Sequence, residues 1–451
     1  MEIHSGKEKV MNKNFTAARN ACKLCSPLGA SIVFRGIKGC VPLVHGSQGC
    51  STYIRRYVIS HFREPIDIAS SNFSETSAIF GGAQNLKTAI QNVSRQYSPE
   101  VIGVASTCLS ETIGDDVTRI VREISADSSG NGGPAIIPVS TPSYKGTHMD
   151  GFHAAVKAAV ETLVIKGRCA PGPGKSKGGK KRVNILPGFV SPADLRTLRE
   201  ITGDFGLDCT ILPDYSETLD GESWATYQKI PSGGTSLDEI RAMGKSDLTI
   251  EFGESLKGKD TAAGYLLNHC GVEFRNIPLP IGIEGTDVFF NILSELSGMS
   301  VPGKYTAQRG RLVDSYADGH KTVFEKRVIL CGDEDLTLGI EGFVKEIGLL
   351  PLISATGALS EEMTGDMDYV SILDYVKDGP ADLVIGPSKA YFISRKLGIP
   401  LVRTGFPVHD RIGGQRIRHL GYGGTQELFD RIVNALLEAK QENSPVGYSY
   451  L

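Results

Sequence analysis

Short apolar runs alternate with longer helical patterns along this 451-residue chain, and a strand–loop–helix–strand unit fills residues 327–354. These observations, with a length well beyond one hydrophobic core, predict an α/β protein of three Rossmann-like domains with parallel sheets. The expected divisions are 1–182, ending in a basic linker, then 183–325, then 326–451, closing with a helix.

Residues 1–20 read as an arm. CVPLVHG (40–46) reads as strand then loop, 50–62 as the following helix, and 85–96 as a second helix broken by Ser98-Pro99. VIGVAS (101–106) is a buried strand running towards Cys108, 115–124 a helix, and AIIPVS (135–140) a strand ending near Ser143. Ligands of open parallel sheets gather beyond the carboxyl ends of strands, where Cys50, Cys108 and Ser143 all fall. A helix over 152–165 closes the first domain. Residues 166–182 then carry seven basic side chains and no acidic one, which suits a solvated linker better than a core or a nucleic-acid site. Its GPGKS fails the phosphate-loop pattern, because Cys169 stands where glycine is needed and the segment precedes a strand. The second domain reads as VNIL, a helix over 192–205, CTILPD, LTIEFG, a helix through 265–269 and the run 277–293. In the third, ADLVIGPS, KAYFISRKLG and IPLVRTG follow the opening unit, and 426–440 reads as the terminal helix. No G-x-G-x-x-G follows a first strand, so a dinucleotide is not expected.

The net charge of -3 gives no reason to expect nucleic acid as a partner. No run of eighteen apolar residues predicts a membrane span, and the polar first twenty residues lack the apolar core of an export signal, so a cytoplasmic protein is expected. Nine cysteines in a reducing compartment are expected to stay unpaired. Cys209 and Cys331 end apolar strand-like runs and read as core residues, and Cys169 carries no signal.

Cys25 in CSPLGA, Cys50 in HGSQGC and Cys108 in STCLSETIGDD sit beside glycines or small polar residues. Thiolates select iron–sulfur clusters or zinc, which usually take four ligands. Cys22 and Cys25 form a lone C-x-x-C, half a zinc site or a redox pair, with no second such pair to complete it. The wide spacing of Cys25, Cys50 and Cys108 fits no ferredoxin motif, so these three would have to converge through tertiary structure. The two glycines of HGSQGC would let backbone amides approach a sulfide-rich anion.

CSPLGA, HGSQGC, HFREP, IFGG-x-QN, STCLSETIGDD and TPSYKGTH resemble, in this order, the β-type subunit of the nitrogenase component 1 family, and GFPVHDR extends the resemblance towards the C-terminus. The resemblance implies three Rossmann-like domains, a homologous α-type subunit in an α2β2 heterotetramer, and an ATP-dependent iron protein as reductase. It implies a P-cluster-type iron–sulfur cluster, eight-iron or four-iron, at the interface, with Cys25, Cys50 and Cys108 as this chain's ligands and the Ser143 oxygen binding iron in the oxidised cluster. Ser47 would hydrogen-bond the cluster, Tyr53 would lie between it and a catalytic metallocofactor in the partner, and Phe80 would sit on the iron protein's docking surface. No residue of this chain is assigned to acid–base or nucleophilic catalysis. Cys270 and His409 lie in sequences unlike the α-type cofactor motifs and are read as structural, as are His45, by a local hydrogen bond, and His61.

The continuation HDRIGGQRIRHLGYGGTQELFDRI resembles cofactor-assembly scaffold subunits, yet those usually lack one or more of the three cysteines. The combination implies an electron-relaying subunit of a nitrogenase-like reductase such as methylthio-alkane reductase, which cleaves carbon–sulfur bonds. The alternatives are a nitrogenase β subunit reducing dinitrogen, a cofactor-assembly scaffold, and a zinc-stabilised α/β binding protein.

Overall fold

A computed structural model describes residues 23–127, 133–164, 179–356, 367–377 and 379–445. Cys22, Cys169, the GPGKS segment and the N-terminal arm lie outside the described residues.

Among the described residues twelve strands form three four-stranded sheets, and every pairing between them is parallel. The first holds β1 (Cys40–His45), β2 (Ala69–Ser70), β3 (Val101–Ser106) and β4 (Ala135–Val139); the second β5 (Arg182–Leu186), β6 (Asp208–Ile211), β7 (Leu248–Phe252) and β8 (Phe274–Ile277). The third holds β9 (Arg327–Gly332), β10 (Leu350–Thr356), β11 (Leu383–Gly386) and β12 (Leu401–Arg403). All three follow one spatial order, β2-β1-β3-β4, β6-β5-β7-β8 and β10-β9-β11-β12. The order reverses between the first and third strand of each sheet, and a crevice opens there at the carboxyl ends.

In the first domain the helices are α1 (Ser26–Arg35), α2 (Gln48–Phe62), α3 (Glu75–Phe80), α4 (Ala83–Tyr97), α5 (Cys108–Thr112), α6 (Val117–Asp127) and α7 (His148–Leu163). β1 and β3 are buried along their whole length, because Leu86, Ile90, Val93, Val117 and Ile120 cover one face while α1 and α7 cover the other. Sequence alone assigns no element to 26–35. α1 has Pro27 in its first turn, which suits a helix start, and all ten of its residues are buried. A helix wedged between a sheet and another helix shows no polar face, so its period is invisible in the sequence. Burial of Leu28, Ile32, Val33 and Phe34 stabilises this layer by about 1.5–3 kcal/mol per side chain.

The wedge depends on missing side chains. A Cβ on Gly29 would lie 1.8 Å from the His148 carbonyl oxygen, and one on Gly151 would lie 2.0 Å from that of Ser26. α1 and α7 therefore cross with backbone against backbone. The N-terminus of α7 is closed by a capping box, with the Thr147 hydroxyl accepting from Met149 N–H at 3.1 Å and Asp150 accepting from Thr147 N–H at 2.7 Å.

The three domains meet on aromatic side chains. Phe406 of the third packs 5.3 Å from Phe189 of the second and 6.0 Å from Phe62 of the first, measured between ring centroids. His61 accepts a hydrogen bond from Val408 N–H at Nδ1, 2.9 Å away, and Arg63 donates to the His409 carbonyl at 3.0 Å. HFREP and GFPVHDR thus pack against each other. The helix Gly303–Val323, also without a sequence assignment, pairs with the terminal helix Gly421–Glu442. Cys25, Cys40, Cys50, Cys108 and Cys209 are free thiols, whereas Cys270 is disulfide-bonded, contrary to the expectation of unpaired cysteines. Nothing in the spacing of the cysteines signals that bond. Among the described residues no helix is long and apolar enough to cross a membrane.

Two outcomes follow from this packing. In an open helix, replacing glycine by alanine stabilises by about 1 kcal/mol; Gly29→Ala should instead destabilise by about 1–3 kcal/mol or more, read from urea unfolding, because the new methyl overlaps the His148 carbonyl. Burial holds the His61 imidazole down to about 3, below its unfolded value near 6.5. Between those values the unfolded chain binds the additional proton, so this group's contribution is present above 6.5 and is lost as pH falls through that window. His61→Asn keeps an acceptor for Val408 N–H and does not titrate. Between pH 7 and 5.5 its unfolding free energy should fall by about 1 kcal/mol less than that of the unaltered chain.

Candidate metal centre

β1 and β3 are register partners from Cys40 against Val101 to His45 against Ser106, so the segments that leave them start side by side. Beyond β1, Gly46 and Ser47 lead into α2, which carries Cys50 in its first turn; beyond β3, Thr107 leads into α5, which begins at Cys108. A Cβ on Gly46 would lie 2.3 Å from the Thr107 hydroxyl, so glycine is what lets these loops touch. Thr107 donates to the His45 carbonyl at 3.0 Å and locks that contact. Gly49 crowds nothing: a Cβ there would lie 3.6 Å from the Ser47 hydroxyl. β4 lies beside β3, and the loop after it carries Ser143.

Cys25 reaches the same place from another direction, as the residue flanking the N-terminus of α1. Ser143 joins the two sides. Its hydroxyl accepts from Ser26 N–H at 3.1 Å, and its own N–H donates to the Cys108 sulfur at 3.2 Å. Ser47 flanks α2 without capping it, and its hydroxyl lies 3.9 Å from the Cys50 sulfur. Cys25 and Cys50 are half-buried and Cys108 is exposed. Burial pushes the Cys25 thiol up to about 12, and the neighbouring Cys50 and Cys108 add to the rise.

The donor set fits a soft, multi-iron cluster better than a single ion. Among the described residues no three His, Cys, Asp or Glu side chains close on one ion, while Cys50 and Cys108 are near enough to Cys25 to act on its charge. Burial disfavours the charged form of the Cys25 thiol, so it would need a cation beside it to act as a thiolate ligand, which iron would supply.

Tyr53 lies one turn beyond Cys50 on α2, 40% exposed, with its ring 4.8 Å from that of Tyr57. Burial raises its phenol pKa, with the nearby Cys25 as the next cause. Phe80 ends α3 and is 83% exposed next to Ile79 at 74%, so the pair forms an apolar surface feature and not the core position that a Phe before Gly-Gly usually takes. Cys40 is buried at the opposite end of β1 from the thiol group, and His409 is exposed, its N–H donating to the Ser388 hydroxyl at 2.9 Å.

Several motif residues prove to be pegs that hold the ligand loops. His45, expected to bond locally, bridges Ser71 at 3.0 Å and Asp115 at 3.2 Å, and Asp115 also accepts from Gly82 N–H at 2.9 Å. Glu111 accepts from Ser106 and, at 2.6 Å, from Ser140, tying the ends of β3 and β4 together. Two further residues carried no assignment. His148, inside TPSYKGTH, grips Leu24 next to Cys25, and Asp333 of the third domain grips His148 at 2.6 Å. For His148 the motif itself was the available signal; for Asp333 there was none.

Compared with known proteins, residues 25–437 match the profile of the family described as nitrogenase component 1 type oxidoreductase. The chain is 34% identical over 438 residues to the nitrogenase molybdenum-iron protein beta chain of Clostridium pasteurianum, covering 93% of each. It is 33% identical over 446 residues to the nitrogenase iron-molybdenum cofactor biosynthesis protein NifN of Bradyrhizobium diazoefficiens, covering 95% of this chain and 92% of the other. Against a solved structure described as nitrogenase Cp1 at pH 6.5, the TM-score is 0.90 at 33% identity, with 98% of both chains covered.

Proposed function

The chain belongs to the nitrogenase component 1 type oxidoreductase family, and on that premise we propose that it is the β-type subunit of a nitrogenase-like, ATP-dependent reductase. In this reading Cys25, Cys50 and Cys108 hold this chain's half of a P-cluster-type iron–sulfur cluster shared with a homologous α-type subunit. The observation that carries it is the convergence of three free thiols and Ser143 on one open face at the carboxyl ends of the first sheet.

When bound, such a cluster supplies one-electron storage and transfer at a potential set by thiolate ligation, hydrogen bonding and burial. The chain's own residues orient and tune. Ser143 holds the Cys25 and Cys108 segments together and directs an N–H at the Cys108 sulfur, while Ser47 faces the sulfur of Cys50. Tyr53 stands beside Cys25, on the side proposed to face the partner's metallocofactor. The exposed Phe80 and Ile79 offer an apolar docking point for the iron protein. The complete set of three cysteines and Ser143, combined with the continuation after GFPVHDR, favours carbon–sulfur bond reduction of the methylthio-alkane type over dinitrogen reduction.

A second reading, a scaffold that matures a cofactor and hands it on, is favoured by the near-equal identity to a NifN protein. A scaffold complex should show little turnover with its iron protein and should release its cofactor to an acceptor.

Anaerobic purification with the partner subunit should yield iron, broad visible absorption and a paramagnetic signal on oxidation. A complex with zinc alone, or with no metal, overturns the reading. Cys50→Ala should cost both reductase activity and assembly of the heterotetramer, since a shared ligand is lost; an intact, iron-replete complex from that variant would count against an interfacial role for Cys50.

A further inference from the structure

Cys50 and Cys108 are placed by strands that run straight into their loops. Cys25 is not, and the backbone leading to it is fixed from the third domain. His148 holds Leu24 twice: its N–H donates to the Leu24 carbonyl at 3.1 Å, and its Nδ1 accepts from Leu24 N–H at 3.4 Å. With Nδ1 accepting, the imidazole proton belongs on Nε2, which lies 2.6 Å from Asp333 Oδ1. Both side chains are buried. The other carboxylate oxygen of Asp333 accepts from Phe406 N–H at 3.1 Å.

Asp333 occupies an unusual post. It follows β9, where the strand order of the third sheet reverses, and flanks the N-terminus of the helix Glu334–Glu346. An aspartate there ordinarily caps its own helix by accepting from a first-turn N–H. Asp333 makes no such bond. Its carboxylate is turned outward, so both oxygens serve contacts beyond its own helix, and one of them reaches into the first domain.

We propose that Asp333 is a positioning residue for Cys25, acting through His148: the carboxylate fixes the imidazole tautomer, and the imidazole fixes the Leu24–Cys25 backbone at the metal centre. The inference deepens the reading of Cys25 as a cluster ligand and rests on it for its functional meaning, but the mechanical link exists in the chain itself. A charged acceptor suits the task. It holds the Nε2 proton firmly, leaves Nδ1 free for Leu24 N–H, and still has a second oxygen for Phe406, whereas a neutral amide offers a single acceptor. The link also makes the geometry of a first-domain ligand depend on docking of the third domain.

The test is amide hydrogen exchange by mass spectrometry on the full chain, comparing Asp333→Ala, His148→Gln and the double variant. His148→Gln keeps a donor towards Asp333 but, with that donor in place, puts no acceptor at the position of Nδ1, and it carries the test alone where Asp333→Ala does not fold. The peptide spanning 23–28 should exchange about tenfold faster in each single variant, and no faster still in the double variant, because the two residues act in series. The peptide spanning 48–62, which carries Cys50, should keep its rate. Ile340→Val, a destabilising change on the helix that Asp333 flanks, should alter neither. In the complex, both single variants should retain iron while shifting the midpoint potential and the paramagnetic signal of the oxidised cluster. An unchanged rate over 23–28 in either variant, equal loosening of 48–62, or an unshifted potential and signal overturns the inference. A wild-type complex without iron would instead sink the functional reading, and the exchange measurement would still decide the mechanical link.

Discussion

The backbone-to-backbone crossing of α1 and α7 is the contact on which the grouping of the three thiols depends. Gly29 and Gly151 bring the two helices so close that main-chain oxygens occupy the space of absent side chains. That closeness puts Ser26 within reach of the Ser143 hydroxyl and Leu24 within reach of His148. A looser crossing would leave Cys25 far from the thiols that descend from β1 and β3. Close packing is thus what converts a wide spacing of cysteines in sequence into one group in space.

Two local rules are broken around this group, and both breaks point the same way. Ser47 and Asp333 each flank a helix N-terminus and each leave their own helix uncapped. One turns towards a cysteine sulfur, the other towards a histidine of another domain. Elsewhere the same position is used conventionally, as at Thr107, Thr147, Ser191 and Ser236, which all form capping boxes. Departures from local consistency tend to mark functional or strained sites, and these two lie beside the thiol group and on the hydrogen-bonded link to the Leu24 backbone.

The parallel α/β architecture was legible because strands buried on both faces read as continuous apolar runs, such as VIGVAS and LVIG, separated by amphipathic helices. α1 was not legible, since a helix buried on every side has no hydrophobic period to detect. The thiol positions were legible only through motifs, as spacing alone left zinc and iron open. What the sequence concealed were the contacts between chain-distant segments. His61 with Val408, and His148 with Asp333, are polar pairings across 347 and 185 residues, and no local pattern encodes a hydrogen bond between domains. HFREP and GFPVHDR looked like two separate motifs, yet physically they are the two sides of one interdomain contact.

The openness of the thiol group gives these pairings their purpose in the proposed reading. A centre sealed inside one domain could be fixed by that domain's own packing. Here Cys108 is exposed and Cys25 and Cys50 are half-buried, so water and a second chain both have access to the ligands. Ligands on an open rim keep their geometry only if the backbone behind them is held from more than one side. β1 and β3 hold two of them through the sheet, and the third domain holds the remaining one through Asp333 and His148. The aromatic junction of Phe62, Phe189 and Phe406 then keeps that third domain in place. A shared half-site and a tight interdomain core are therefore one requirement: the face left open for a partner has to be rigid before the partner arrives.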